Sequence, residues 1–246
     1  MGLFATEEAL FAEFRAKFPR VRGEFEAAVR ELVYEYSTTN RENRFVVGGA
    51  TEILLAAAMR ACGIGSQDLG HESDGADILA TASAMSNRFS VKASYVRGWS
   101  GVRLINFQGL GSTTAWADAT IFVSPKANIL FGSPDHPLLA EGVSHTGDAL
   151  VLSGAALRSH AEANPHLMIQ ADIPLNPRTG TRVASANVAL GILSRAHFPL
   201  LGASLIKSAT PLEQLEKLAA LVERGVLTPD EFAQMKRGIL LSEDST

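Results

Sequence analysis

A central block of short strand-like runs, preceded by three segments of helical periodicity, most constrains what this chain can fold into. Residues 6–18 place Leu10, Phe14 and Phe18 at fourfold spacing before Pro19, which predicts an amphipathic helix. Residues 23–36 repeat the pattern with Phe25, Val29, Leu32, Val33 and Tyr36. The polar stretch 37–44 reads as a loop. A third helix is expected over 51–62, after Gly48-Gly49 and closed by Gly63. In that helix Thr51 is the expected N-cap, and Glu52 falls in the first turn, where the dipole favours negative charge. Strands are then expected at 77–80, 88–94 and 102–107, separated by polar or glycine-rich turns. Residues 118–123 read as a more buried strand ending at Pro125, and 148–152 as a short one before a helix capped by Ser153 and running through His160. A further strand is expected at 167–172 and a helix at 183–196. This order predicts an α/β fold: a mixed β-sheet flanked by helices.

Size and charge limit what such a fold does. The chain has 246 residues, enough for one sizeable core and a small appendage. No apolar run reaches the roughly 18–20 residues of a membrane span. Residues 1–8 lack a basic, then apolar, leader, so no signal peptide is expected. Gly2 and Thr6 fit a myristoylation pattern too loosely to count. The single cysteine, Cys62, allows neither an intramolecular disulfide nor a cysteine zinc site. A cytoplasmic location is the default. A net charge of −4 argues mildly against non-specific nucleic-acid binding, although a local basic groove is compatible with it. Arg88, Lys92, Arg97 and Arg103 lie close in sequence and are either that groove or solvated hairpin charges.

A linker near Ser208-Ala209-Thr210 divides the chain into residues 1–207 and a unit at 211–241. Leu212, Leu215, Leu218 and Val222 have helical spacing, and Gly225 fits the position after a helix end. Thr228-Pro229-Asp230-Glu231 is a helix start: threonine cap, proline at the first position, glutamate at the third. Phe232, Met235 and Ile239 form the apolar side of the second helix. A two-helix hairpin this small buries little surface alone, so a second copy or the main domain should cover its apolar faces. Residues 242–246 read as an acidic, disordered tail. The segment 212–240 closely resembles the SHOCT (short C-terminal) domain. That resemblance implies a bacterial-type accessory module linked to oligomerisation or to nucleic-acid-associated proteins, with no catalytic chemistry of its own.

The chemistry concentrates in Ser90-Val91-Lys92. Strand alternation projects Ser90, Lys92 and Ser94 one way and Phe89, Val91 and Ala93 the other. A lysine on a buried strand beside an acid on its neighbour, here Asp77, suits metal-dependent phosphodiester cleavage: the acid binds the cation and the lysine positions or polarises water. Residues 45–125 resemble the core of the PD-(D/E)XK, or restriction-endonuclease-like, nuclease superfamily. Glu52 lies on a helix, Asp77 starts a strand, Ser90-Val91-Lys92 occupies the place of (Asp/Glu)-x-Lys, and a hydrophobic strand follows at 118–123. The resemblance implies a Mg²⁺- or Mn²⁺-dependent endonuclease acting on DNA, with RNA left open, in bacterial restriction or phage defence. Asp77 and Glu52 would be the metal ligands, with a main-chain carbonyl near Val91 adding an oxygen. Lys92 would stabilise developing charge, and Ser90 would hold a metal-bound water. Ser90 departs from the pattern, and Glu52 is the expected substitute for the missing acid.

Rival readings stay open. A chain that kept the nuclease fold and lost catalysis would be a nucleic-acid-binding or oligomeric scaffold. A small-substrate hydrolase would rest on the histidines at 71, 136, 145, 160, 166 and 197, which lack metal-ligand spacing. Glu72 and Asp74 read as loop acids, either able to replace Asp77, and Asp118 as a strand-boundary residue. Gln108 is expected in a turn, 109–113 as a flexible turn without a phosphate-loop lysine, and Trp99 either in the core or stacked on a base.

Overall fold

The computed structural model describes residues 2–38, 43–69, 76–82, 85–106, 115–147, 149–176, 189, 191–193, 198 and 200–201. Three helices come first: α1 (Ala5–Lys17), α2 (Arg22–Glu35) and α3 (Asn43–Ala61). Six strands follow: β1 (Gly65–Asp68), β2 (Ile78–Ala82), β3 (Met85–Ala93), β4 (Val102–Asn106), β5 (Ala119–Ser124) and β6 (Asn128–Gly132). The short helix α4 (Pro137–Ala140) leads into a hairpin of β7 (Val143–Thr146) and β8 (Ala149–Leu152). Helix α5 (Gly154–Ala163) and the short strand β9 (Met168–Ile169) come next.

The strands form one sheet ordered β1-β2-β3-β5-β6-β9 and a second ordered β4-β8-β7. In the larger sheet β3 and β5 pair in parallel and the other pairs are antiparallel. The expected mixed sheet with flanking helices is therefore present. None of the described helices is long and apolar enough to cross a membrane.

Side-chain alternation assigns a cover to each face of the large sheet. Phe131 meets Phe11 of α1, with ring centroids 5.5 Å apart, and Phe89 of β3 at 6.4 Å. Phe11, Phe14, Phe18 and Phe25 continue that series from α1 into α2. On the same face, Ser66 of β1 donates to the Ala56 carbonyl of α3 at 2.7 Å. Helices α1 and α3 thus cover this side. The next residue, Gly132, points the other way, where an added Cβ would lie 2.6 Å from Leu139 of α4 and 2.9 Å from Phe122. Lys92 is in register with Phe122 and Ser90 with Thr120, so both belong to this second face.

Helices α1 and α2 occupy the expected segments, and their expected apolar residues are all buried. The third helix needs correction. It begins at Asn43, so Gly48 and Gly49 lie inside it, and Asn43 and Arg44 are helical rather than loop. Glycine costs a helix about 1 kcal/mol each relative to alanine. Here the burial of Val47, Ala50, Leu54 and Leu55 on either side outweighs that cost. Thr51 is therefore not an N-cap. Its hydroxyl lies 2.7 Å from the Val47 carbonyl, to which it donates, and 2.6 Å from the Tyr95 hydroxyl. Glu52 sits in mid-helix, far from the first turn, and the helix-dipole account of it fails.

The closing turn is as expected: Gly63 has φ +79° and donates to the Arg60 carbonyl at 2.8 Å. Ser153 caps α5 by accepting from Ala156 N–H at 3.1 Å. Strands β1, β6 and β7 and helix α4 were not expected. β1 reads Gly-Ser-Gln-Asp and offers no apolar alternation, while β6 is divided from β5 by the short turn 125–127, and its first residue, Asn128, adopts φ 56°. Residues 190 and 194–196 of the expected 183–196 helix lie outside the described residues, as do 183–188; residues 189 and 191–193 are helical. The linker at 208–210, the 211–241 hairpin and the tail also lie outside them.

The fold buries a histidine that makes it acid-sensitive. His160 is fully buried on α5, with Nε2 2.8 Å from the Phe131 carbonyl and Nδ1 3.2 Å from the Asn164 amide nitrogen. The neutral ring with its proton on Nε2 satisfies both contacts. Burial pulls its pKa down to about 4, nearby His136 and His166 add to that, and the Phe131 carbonyl opposes it. The folded value lies below the unfolded one, so stability is lost as pH falls from about 6.5 towards about 4. Denaturant midpoints across that range should fall for the wild type and lose most of that slope in His160→Gln.

Candidate functional site

The early end of β2 creates the site. β2 pairs with β3 from Ala82↔Met85 to Ile78↔Phe89 and stops there, whereas β3 continues to Ala93. Beyond Phe89, β3 keeps its β5 partner but has no β2 residue beside it. Asp77 fills the gap. Its N–H donates to the Phe89 carbonyl at 2.8 Å, and its carboxylate turns back to take the next donor along β3. The Val91 N–H donates to Asp77 Oδ2 at 2.6 Å. The Ser90 hydroxyl donates to the same oxygen at 3.0 Å, and Lys92 Nζ lies 3.8 Å from it. The Lys92 and Asp77 side chains are 25% and 19% exposed, shielded from bulk water yet reachable.

Glu52 approaches from α3, on the opposite side of the sheet from Lys92. The Thr51–Tyr95 hydrogen bond ties this part of α3 to the chain just beyond β3 and so delivers Glu52 to the gap. Glu52 is 9% exposed. Burial, with the negative charges of Asp77 and Asp68 behind it, raises its pKa to about 8, while Lys92 pulls it down. At neutral pH, with no cation present, this carboxyl therefore holds a proton.

Asp118 and Arg88 complete the charged set. Arg88 Nε lies 3.7 Å from Asp118 Oδ1, and the two stand side by side at the start of the β3–β5 pairing. Burial raises the Asp118 pKa, Arg88 lowers it, and smaller effects come from Asp77 and Lys92. Asp118 thus shares the field of the site rather than merely marking a strand boundary. Trp116 lies on the same face; its Nε1 donates to Thr120 Oγ1 at 2.9 Å, and Thr120 is the register partner of Ser90.

The structure brings Asp77, Ser90 and Lys92 into contact and sets Glu52 within electrostatic range of Asp77 and Lys92. Ser90 acts on the Asp77 carboxylate directly. Asp118, Arg88 and Trp116 were missed as a group. The signal for them was strand pairing, which places Asp118 beside Arg88 only once β5 is known to run parallel to β3. Trp99 lies in a small pocket with Lys92, Ser94, Ser100, Phe122 and Leu157. Glu72, Asp74, Gln108 and residues 109–113 lie outside the described residues, as do His71 and His197. Among the described residues no three His, Cys, Asp or Glu side chains are grouped closely enough to hold a metal. The carboxylate oxygens of Asp77 and Glu52 are the hard donors nearest the gap, and Mg²⁺ is commonly held by one or two carboxylates plus water and phosphate oxygens.

Residues 213–240 match the family described as the short C-terminal domain, SHOCT. No curated protein and no solved structure matches the chain.

The proton on Glu52 has a thermodynamic signature. Its folded pKa lies above its unfolded value, so the wild type loses stability as pH rises from about 4.5 to about 8. In chelator, Glu52→Gln should gain on the wild type over that range, by about 4 kcal/mol at pH 8 and by nothing near pH 4. Thermal melts of the two proteins at several pH values measure the difference.

Proposed function

We propose that this chain is a divalent-metal-dependent nuclease that hydrolyses phosphodiester bonds in DNA, built on a restriction-endonuclease-like core. The observation that carries this reading is the contact of Asp77 with Lys92 where β2 ends, with the buried Glu52 of α3 within electrostatic range of both. The element order supports it too: a helix carrying an acid, an antiparallel run of three strands with an acid before the second and a lysine on the third, then a strand parallel to the third. In this reading Asp77 and Glu52 hold Mg²⁺ or Mn²⁺. When bound, the cation supplies Lewis acidity at the phosphate and lowers the pKa of bound water.

The chain's own residues do the rest. Ser90 Oγ and Val91 N–H fix Asp77 through Oδ2, which leaves the direction of Oδ1 defined by the same two bonds. Lys92 places a positive charge next to that carboxylate, where it stabilises charge growing on a phosphate oxygen. Glu52 would give up its proton on holding a cation, so cation affinity should rise with pH up to about 8. Lys92→Ala should lower the rate of plasmid cleavage by about a hundredfold or more while thermal stability persists. Asp77→Asn, which keeps an acceptor for Val91, should abolish cleavage. Activity equal to wild type in both variants would sink the assignment.

A second reading is a silent site in a nucleic-acid-binding scaffold. Asp77 Oδ2 already accepts from two groups and pairs with Lys92, and position 90 is a serine. Titration calorimetry with Mn²⁺ separates the two: binding that Asp77→Asn weakens supports the nuclease, and no binding supports the scaffold. In either reading the SHOCT segment is the proposed oligomerisation unit. Removing residues 211–246 should lower the mass measured by light scattering to that of a smaller assembly.

A further inference from the structure

We propose that the small pocket past Lys92 is an oxyanion pocket, in which Ser94 and Ser100 donate to one non-bridging oxygen of the phosphate being cut. The inference rests on the nuclease reading and adds substrate-binding groups to it. β3 and β5 run in parallel and end together, and the Ser94 N–H still donates to the Val123 carbonyl at 2.8 Å. Ser94 follows Lys92 by two residues, and Ser124 follows Phe122, the register partner of Lys92, by two. Strand alternation therefore brings all four to one face. These four residues, with Trp99 and Ser100 of the turn beyond β3, line the pocket. That turn lies hard against α5: a Cβ on Gly154 would stand 2.7 Å from the Trp99 carbonyl carbon. A seat fixed in this way needs no rearrangement when charge develops in it.

Chemistry and size both select a phosphate oxygen. Among the described residues the Ser94 and Ser100 hydroxyls, 3.3 Å apart, have only each other as partners. One proton is spent within that pair, and the other remains to be given. Ser124 Oγ accepts from the Ala127 N–H at 2.9 Å and keeps its own proton as well. Lys92 Nζ stands 3.8 Å from Asp77 Oδ2, longer than a hydrogen bond, so that pairing leaves its N–H donors unspent. No carboxylate is among the described residues of the lining. A lining of donors favours an anionic oxygen. The pocket has a volume of about 10 Å³, room for one water-sized atom and far too little for a base. Trp99, packed against the core, is thus a wall of this pocket and not a stacking platform inside it. Lys92 touches both Asp77 and the pocket, so a phosphate held there turns one oxygen towards the carboxylates and another towards the hydroxyls.

The test uses DNA duplexes in which sulfur replaces one or the other non-bridging oxygen at a mapped cleavage site. Cleavage is measured in Mn²⁺, which accepts sulfur at the metal more readily than Mg²⁺ does. Sulfur overfills the pocket, so the wild type should cut one isomer roughly tenfold more slowly than the other. Replacing both hydroxyls, Ser94→Ala with Ser100→Ala, should lower kcat on ordinary DNA about a hundredfold and leave KM nearly unchanged. The same change makes room for sulfur and should bring the two isomers to similar rates. In chelator, inorganic phosphate should raise the Tm of the wild type more than that of the double variant, each measured against chloride of equal ionic strength. The wild-type isomer ratio decides even where the double variant fails to fold. Equal wild-type rates on the two isomers in Mn²⁺, or equal phosphate shifts in the two proteins, overturn this inference alone. A wild type that cleaves no DNA overturns the nuclease reading and this inference together.

Discussion

The contact on which this site depends is the hydrogen bond from the Val91 N–H to Asp77 Oδ2. A buried backbone donor without a partner costs about 1–3 kcal/mol, and Val91 is 4% exposed where β2 has already ended. The carboxylate supplies the acceptor that a longer β2 would have provided. One oxygen therefore continues the sheet and also sits at the centre of the charged cluster. The consequences run outward along the chain. β3 stays extended to Ala93, Ser94 N–H reaches the Val123 carbonyl, and Tyr95 is placed to meet Thr51. That last bond fixes α3 against the end of β3 and sets the depth of Glu52.

How much of this was legible in the sequence follows from which interactions are local. Helices α1 and α2 show in the spacing of Leu10, Phe14 and Phe18 and of Phe25, Val29 and Leu32, because each apolar stripe lies within one helix. The contact of Asp77 with Lys92 was also legible, since strand alternation and a short connection leave few ways to place them. The start of α3 was not. Gly48-Gly49 looks like a break, and only burial against other elements shows that the helix passes through it. β1 escaped for a related reason. Its four residues carry no apolar alternation, and their place in the sheet comes from pairing with β2 and from Ser66 bonding to Ala56. Asp118 and Arg88 needed a long-range fact, the parallel pairing of β3 with β5, that no window of sequence contains.

The charges in the cluster explain why one of its acids is neutral. Asp77 has Lys92 against it, Asp118 has Arg88 beside it, and Asp68 faces Arg60 of α3. Lys92 is the cation against Asp77, which leaves Glu52 facing the negative charges of Asp77 and Asp68 with little positive charge to spare. Burial makes a further negative charge there more costly, and the proton on Glu52 is the consequence. The serine at position 90 fits the same balance. A second carboxylate on β3, one residue from Val91, would add another negative charge to a group that already protonates one of its members. The hydroxyl of Ser90 instead holds Asp77 in the orientation that the sheet requires.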